Sequence, residues 1–112
     1  MNGSGAEKIA LSYLQRQRLV LVEQNYRCRF GEIDLIMRDG ETLVFIEVRM
    51  RTNEKYGGAA ASITSKKQAK ILRTARYYLT ELEIESACRF DALLLSGING
   101  REIEWLRDAF GE

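Results

Sequence analysis

Two runs of strand-forming residues, Glu32-Ile33-Asp34-Leu35-Ile36-Met37 and Leu43-Val44-Phe45-Ile46-Glu47-Val48-Arg49, flank an Asp39-Gly40 pair. Both carry carboxylates where a half-buried sheet wants apolar side chains. Asp-Gly tolerates positive φ at both central positions of a tight turn, so the spacing predicts a hairpin with Asp39 and Gly40 as its loop. Counting outward sets Arg38 opposite Glu41, Asp34 opposite Phe45 and Glu32 opposite Glu47. Even positions of the first strand then share a face with odd positions of the second. Glu32, Asp34, Glu47 and Arg49 project from one side, with Asp34 and Glu47 as diagonal neighbours about 7–8 Å apart, able to bracket one divalent cation. Carboxylates this close repel unless a cation or a proton intervenes. An exposed polar face neutralised by Arg38, Arg49 and Arg51 is the plainer reading. The interruption of the apolar run Leu43 to Val48 by Glu47 favours the metal site.

Histidine is absent from the 112 residues, which removes imidazole as base, nucleophile partner or ligand. Carboxylates around a metal point to hard cations, Mg2+ or Mn2+, which prefer oxygen ligands and phosphate-bearing substrates. The formal charge of +1 hides an asymmetry: residues 49–80 hold eight Lys/Arg and one acid, Glu54, and the remainder holds nine Lys/Arg against fifteen Asp/Glu. A basic strip following directly on the acidic hairpin is the footprint expected for a polyanion. A solvated helix face is the bland alternative, but such faces usually interleave both signs.

At 46% hydrophobic, residues 1–112 fit a single domain with one core. No apolar stretch approaches the ~20 residues of a membrane span, and Met1-Asn2-Gly3-Ser4-Gly5 lacks the order of an export signal. Cys28 and Cys88 show no metal or disulfide spacing and read as buried thiols of a cytoplasmic protein. The spacing predicts a helix over Ser4 to Arg18, with Ser4 as N-cap, Glu7 closing the capping box, and Ala6, Ile9, Ala10, Tyr13 and Leu14 at helical intervals. Strands follow at Leu19 to Cys28, Glu32 to Met37 and Thr42 to Arg49, then a Gly-rich loop over Tyr56 to Ser62. A second helix runs from Ser65, its cap, to Leu82. Its buried stripe is expected at Ala69, Leu72, Ala75, Leu79 and Leu82, with Lys66, Lys70 and Arg73 on the other side. Strands at Arg89 to Leu95 and Glu102 to Leu106 complete an α-β-β-β-α-β-β order, an α/β (α+β) class. No aromatic stacking motif stands out, and Tyr77 and Tyr78 read as partial core.

This order, with an Asp at a strand and Glu-x-Lys/Arg on the next, resembles the PD-(D/E)XK nuclease superfamily, the core shared by restriction endonucleases and archaeal Holliday junction resolvases. Gly31-Glu32-Ile33-Asp34-Leu35-Ile36, Phe45-Ile46-Glu47-Val48-Arg49-x-Arg51, Lys67-Gln68 and Arg89-Phe90-Asp91, with Ala6-Glu7 and Ala109-Phe110 near the ends, are similar to the YraN family of bacterial endonuclease-like proteins. The resemblance implies a restriction-endonuclease-like fold, a mixed central sheet flanked by helices. It also implies a metal held by Asp34 and Glu47 with the Val48 carbonyl. Glu7 would match the helix-borne acid of resolvase-like members, although a capping-box glutamate is what any helix start wants. Glu32 would reach the metal through water, and Asp91 would pair with a nearby arginine in the core. The departure is Arg49, where the superfamily usually has lysine: guanidinium stays charged and cannot act as base, but can clamp a phosphate. Lys67 is the candidate replacement. The implied activity is Mg2+- or Mn2+-dependent hydrolysis of nucleic acid, with branched DNA among the candidate substrates. Asp34, Glu47, Arg49 and Lys67 would carry the chemistry, and Arg51, Lys66, Lys70, Arg73 and Arg76 would hold the flanking backbone. The alternative is a non-catalytic nucleic-acid-binding module on the same fold. Pairing of exposed edge strands would give a homodimer.

Overall fold

A computed structural model describes residues 3–51 and 63–111. Its elements are α1 (Gly3–Arg16), β1 (Val20–Cys28), β2 (Gly31–Asp39), β3 (Thr42–Met50), α2 (Ser65–Glu81), β4 (Cys88–Ser96), a 3-10 turn (Ile98–Gly100) and β5 (Glu102–Phe110). The α-β-β-β-α-β-β order is as expected. The five strands form one sheet in the order β1-β2-β3-β4-β5. All neighbours are antiparallel except β3 and β4, which run parallel. A parallel pair needs a crossover, and α2 supplies it.

Each face of the sheet is covered by one helix. On one side Ala6, Ala10 and Leu14 of α1 pack on Leu35, Met37, Val44, Ile46, Leu93 and Leu95. On the other, Ile71, Ala75 and Tyr78 of α2 pack on Ile36, Leu43 and Phe45. Strands buried on both faces read as continuous apolar runs, which is why Leu43 to Ile46 shows no alternation. The chain leaves α1 through Arg18 (φ +74), and Leu19 N–H returns to the Leu14 carbonyl at 3.1 Å, a Schellman-type ending.

Several boundaries differ from those expected, each for a local reason. α1 starts at Gly3, so Ser4 lies inside the helix instead of capping it. The α2 cap is Thr64, whose Oγ1 accepts from Lys67 N–H at 3.1 Å, and not Ser65. The buried stripe of α2 is Ile71, Thr74, Ala75 and Tyr78, whereas Ala69 is exposed and Leu82 is 56% exposed. Both sides of α2 are apolar, and packing on Ile36, Leu43 and Phe45 of the sheet selects the one with Ile71 and Tyr78. Cys88 is exposed and Cys28 only half-buried, so neither is the buried thiol expected. β5 runs on to Phe110 through an irregularity at Asp108 (φ +52). The expected loop at 56–62 lies outside the described residues.

The hairpin register is the most instructive difference. Asp39 pairs with Thr42 and Arg38 with Leu43, so the loop is Gly40-Glu41 and not Asp39-Gly40. Gly40, at φ +63, occupies the first central position, where a type II′ turn wants glycine. Asp39 is drawn into the strand because its Oδ2 accepts from Arg89 Nη1 at 3.0 Å. Every cross-strand partner moves by two, an even slip that preserves which residues share a face. Counting from Leu35 opposite Ile46 now sets Asp34, not Glu32, opposite Glu47.

Candidate metal centre

Regular pairing of β2 with β3 ends at Leu35 and Ile46. Beyond it Asp34 Oδ2 accepts directly from Val48 N–H at 2.8 Å, replacing a ladder bond with a side-chain bond. The alternation of β2 breaks at the same residue: Leu35 and Met37 pack under α1, but Ile33 packs in the α2 cluster. The strand therefore turns at Asp34, and its carboxylate lies in the fork that opens between β2 and β3.

Glu7 from the first turns of α1 and Glu32 from β2 converge there. One carboxylate oxygen each from Glu7, Glu32 and Asp34 lie within 4.8 Å of one another. Glu7 therefore joins the acids, instead of only closing a capping box. Burial, then the Asp34 charge, push the Glu7 carboxyl up, while a hydrogen bond with Asn25 pulls it down. Glu32 is tied to Arg27 Nε at 2.8 Å.

Glu47, on β3, also meets Asp34 and is 5% exposed. Its carboxyl is pushed up to about 7, first by burial, then by the Asp34 charge and a side-chain hydrogen bond with Asp34; Lys67 and Arg49 pull the other way. Arg49 Nε sits 3.2 Å from Glu47 Oε2 but without hydrogen-bond alignment, and Lys67 Nζ is 3.8 Å from the same oxygen. Lys67 reaches it because it heads the inward row Lys67, Ile71, Thr74, Tyr78, spaced four, three and four residues apart. A lysine from α2 thus stands beside the acid whose own strand offers only arginine.

The structure gathers Glu7, Glu32, Asp34, Glu47, Arg49 and Lys67 around one fork, with Val48 bound to Asp34 through its N–H. Lys66, Lys70, Arg73 and Arg76 are exposed on α2. Arg51 turns instead to β5, where its Nη2 is 3.5 Å from Glu104 Oε1. Asp91 is confirmed as a core ion-pair partner: fully buried, it accepts from Arg89 Nε at 2.9 Å and Nη2 at 3.0 Å. Asn25 escaped the sequence reading. It stands opposite Asp34 by count from Gln24–Leu35 and Tyr26–Ile33, and holds a left-handed φ of +52 within a strand. Asparagine tolerates that conformation better than most residues, but a lone Asn among Glu23-Gln24-Asn25 carries no signal that says so. The donor set is all carboxylate oxygen; Glu7 and Glu47 are raised first by burial and then by the Asp34 charge, and a hard cation offsets the second of these, so the residues fit such an ion.

Among the described residues no helix is long and apolar enough to cross a membrane. Residues 6–95 match the family described as "Uncharacterised protein family UPF0102". A UPF0102 protein of Nitrosospira multiformis is 64% identical over 110 residues, covering 98% of this chain and 92% of that one. One from Nitrosomonas europaea is 60% identical over 110 residues, covering 98% and 93%. Another, from Psychromonas ingrahamii, is 57% identical over 107 residues, covering 96% and 87%. With a family match across most of its length and relatives this similar along nearly their whole chains, the protein belongs to the UPF0102 family, the YraN-like group its motifs resemble.

Proposed function

We propose that this protein is a divalent-metal-dependent nuclease of the PD-(D/E)XK type, hydrolysing phosphodiester bonds of nucleic acid. The observation that carries the reading is Asp34, which in the fork between β2 and β3 meets both the Glu7 and Glu32 carboxylates and that of Glu47. Asp34 and Glu47 would hold Mg2+ or Mn2+ together with the Val48 carbonyl, Glu7 as the helix-borne acid and Glu32 through water. Bound there, the ion would polarise the scissile phosphate and acidify a water molecule. The remaining work belongs to side chains of this chain. Val48 N–H fixes the rotamer of Asp34. Lys67 stands where a proton or a phosphoryl oxygen can be met, and Arg49 can donate to non-bridging oxygens as negative charge develops. Lys66, Lys70, Arg73 and Arg76 line α2 as contacts for the flanking backbone, a sequence-independent grip.

The alternative, a binding module without turnover, draws support from Arg49, which cannot act as base. The two are separated by a cleavage screen of linear, flapped, single-stranded and four-way-junction DNA with Mg2+ and with Mn2+, run beside Asp34→Asn. Metal-dependent cleavage that Asp34→Asn abolishes is the expected result. Binding without cleavage of any substrate by wild type would leave the binding module.

A further inference from the structure

The tip of the β1–β2 hairpin, Arg29-Phe30, leans on α2 some distance from the sheet core. Gly31 makes this approach close: at φ +154, a Cβ placed there would lie 2.9 Å from Thr74 Oγ1. Phe30 therefore meets Tyr77 edge to face, with ring centroids 5.5 Å apart at 65°. Both rings remain partly exposed. With Arg73, Arg76 and Thr80 they line an open, largely apolar hollow of about 230 Å³. Arg29 holds its guanidinium 4.9 Å from the Phe30 centroid and 5.9 Å from that of Tyr77, and Arg73 lies 6.0 Å from Phe30. Among the described residues neither Arg29 nor Arg73 has a carboxylate partner. Arg27, Arg49, Arg51 and Arg89 each have one, while Arg29 and Arg73 are set apart by lying over aromatic rings.

Glu81 hydrogen-bonds the Tyr77 hydroxyl and leaves the ring faces open; aromatic rings bordered by guanidinium groups outside ion-pair reach of any described carboxylate suit an unpaired base between two phosphates, with π faces for the base and cations for the backbone. A duplex keeps its base faces stacked inside and cannot enter such a hollow. Phe30 is two residues from Glu32, which holds their Cα atoms within ~7 Å of each other; the rings lie on the α2 side of the sheet and Glu7 on the α1 side, so a strand serving both would pass the edge of the β1–β2 hairpin. We propose that the Phe30–Tyr77 hollow is a stacking subsite for an unpaired base of single-stranded nucleic acid, DNA or RNA, with Arg29 and Arg73 on the adjoining phosphates. This inference builds on the nucleic-acid reading above, and names single strands or unpaired segments as the substrate class.

Binding of labelled dT12, rU12 and a blunt duplex, measured by fluorescence anisotropy in EDTA on the otherwise uncleaving Asp34→Asn protein, tests it. Phe30→Ala and Tyr77→Ala should each weaken at least one of the two single strands about 5- to 100-fold, from the stacking worth of ~1–3 kcal/mol per base. They should leave the duplex within about twofold. Tyr77→Phe keeps the ring and should bind as the parent does. Phe30→Trp keeps a ring and adds a reporter, whose emission should be quenched by dT12 or rU12. Equal affinity of the alanine variants for both single strands, equal loss on the duplex, or an unquenched Phe30→Trp overturns the subsite. Ring-dependent binding in a protein that cleaves nothing would keep the subsite and remove the nuclease reading; metal-dependent cleavage indifferent to both rings would do the reverse.

Discussion

Two buried acids show how differently one fold can treat a carboxylate. Asp91, fully buried on β4, accepts two hydrogen bonds from Arg89, one from Trp105 Nε1 at 2.9 Å and one from Asp108 N–H at 2.9 Å. The last of these satisfies the backbone donor that the irregularity in β5 would otherwise strand, and Arg89 passes on to Asp39 at 3.0 Å. Glu47, nearly as buried on the neighbouring β3, has two cations at 3.2 and 3.8 Å and another acid beside it, and keeps its proton to about 7. One site is closed and fully paired. The other sets three cations, Arg27, Arg49 and Lys67, against a cluster of four acids, Glu7, Glu32, Asp34 and Glu47, the imbalance on which the proposed cation site rests.

The contrast is open to direct attack. Asp91→Ala should produce the largest change, about 3–5 kcal/mol less stability in urea unfolding, because it strands Arg89, the indole N–H and the Asp108 N–H together. A loss under about 1 kcal/mol would mean that the network is slack and the contrast false.

Glu47→Gln should act in the opposite direction. The folded pKa of Glu47, about 7, lies above its ordinary 4.5, so folded wild type binds the proton more tightly than the unfolded chain. In EDTA, wild type then gives up stability as pH rises from about 4.5 through about 7, and Gln does not. The variant should be more stable by roughly 2–3 kcal/mol at pH 8, with the gap closing below about pH 4.5. A variant less stable than wild type at pH 8 would make Glu47 an ordinary ion-pair acid.

Mn2+ at about 100 times its dissociation constant should raise wild-type stability by about 2.7 kcal/mol and leave Asp34→Asn unmoved, as seen in thermal melts. Smallest is Asn25→Ala, about 1 kcal/mol, from the cost of a left-handed strand residue. It should also weaken Mn2+ binding in titration, since Glu7 loses its hydrogen bond; unchanged affinity would remove Asn25 from the site.

Much of this was legible in the chain. The hairpin, its parity and the element order follow from alternation and turn chemistry, which are local. The register did not, because Asp39 obeys Arg89, fifty residues on, in preference to its own turn. The stripe of α2 was misplaced for a similar reason: both candidate faces are apolar, and only the sheet decides between Ile71 with Tyr78 and Leu72 with Leu79. The acids Asp34 and Glu47 were readable as crowding within a hairpin. Convergence of Glu7, Asn25 and Lys67 on them depends on three further elements folding round the fork.

That dependence sets a clock on the site. Its members come from α1, β1, β2, β3 and α2, so while the protein is being synthesised the ribosome must release the chain past Lys67 before the last of them is available. β4, whose pairing locks β3 in place, comes later still. A truncated or half-made chain carries every acid of the hairpin yet lacks the geometry that joins them to Glu7 and Lys67. Any reactivity of this fork therefore arrives only once α2 and β4 have joined the hairpin.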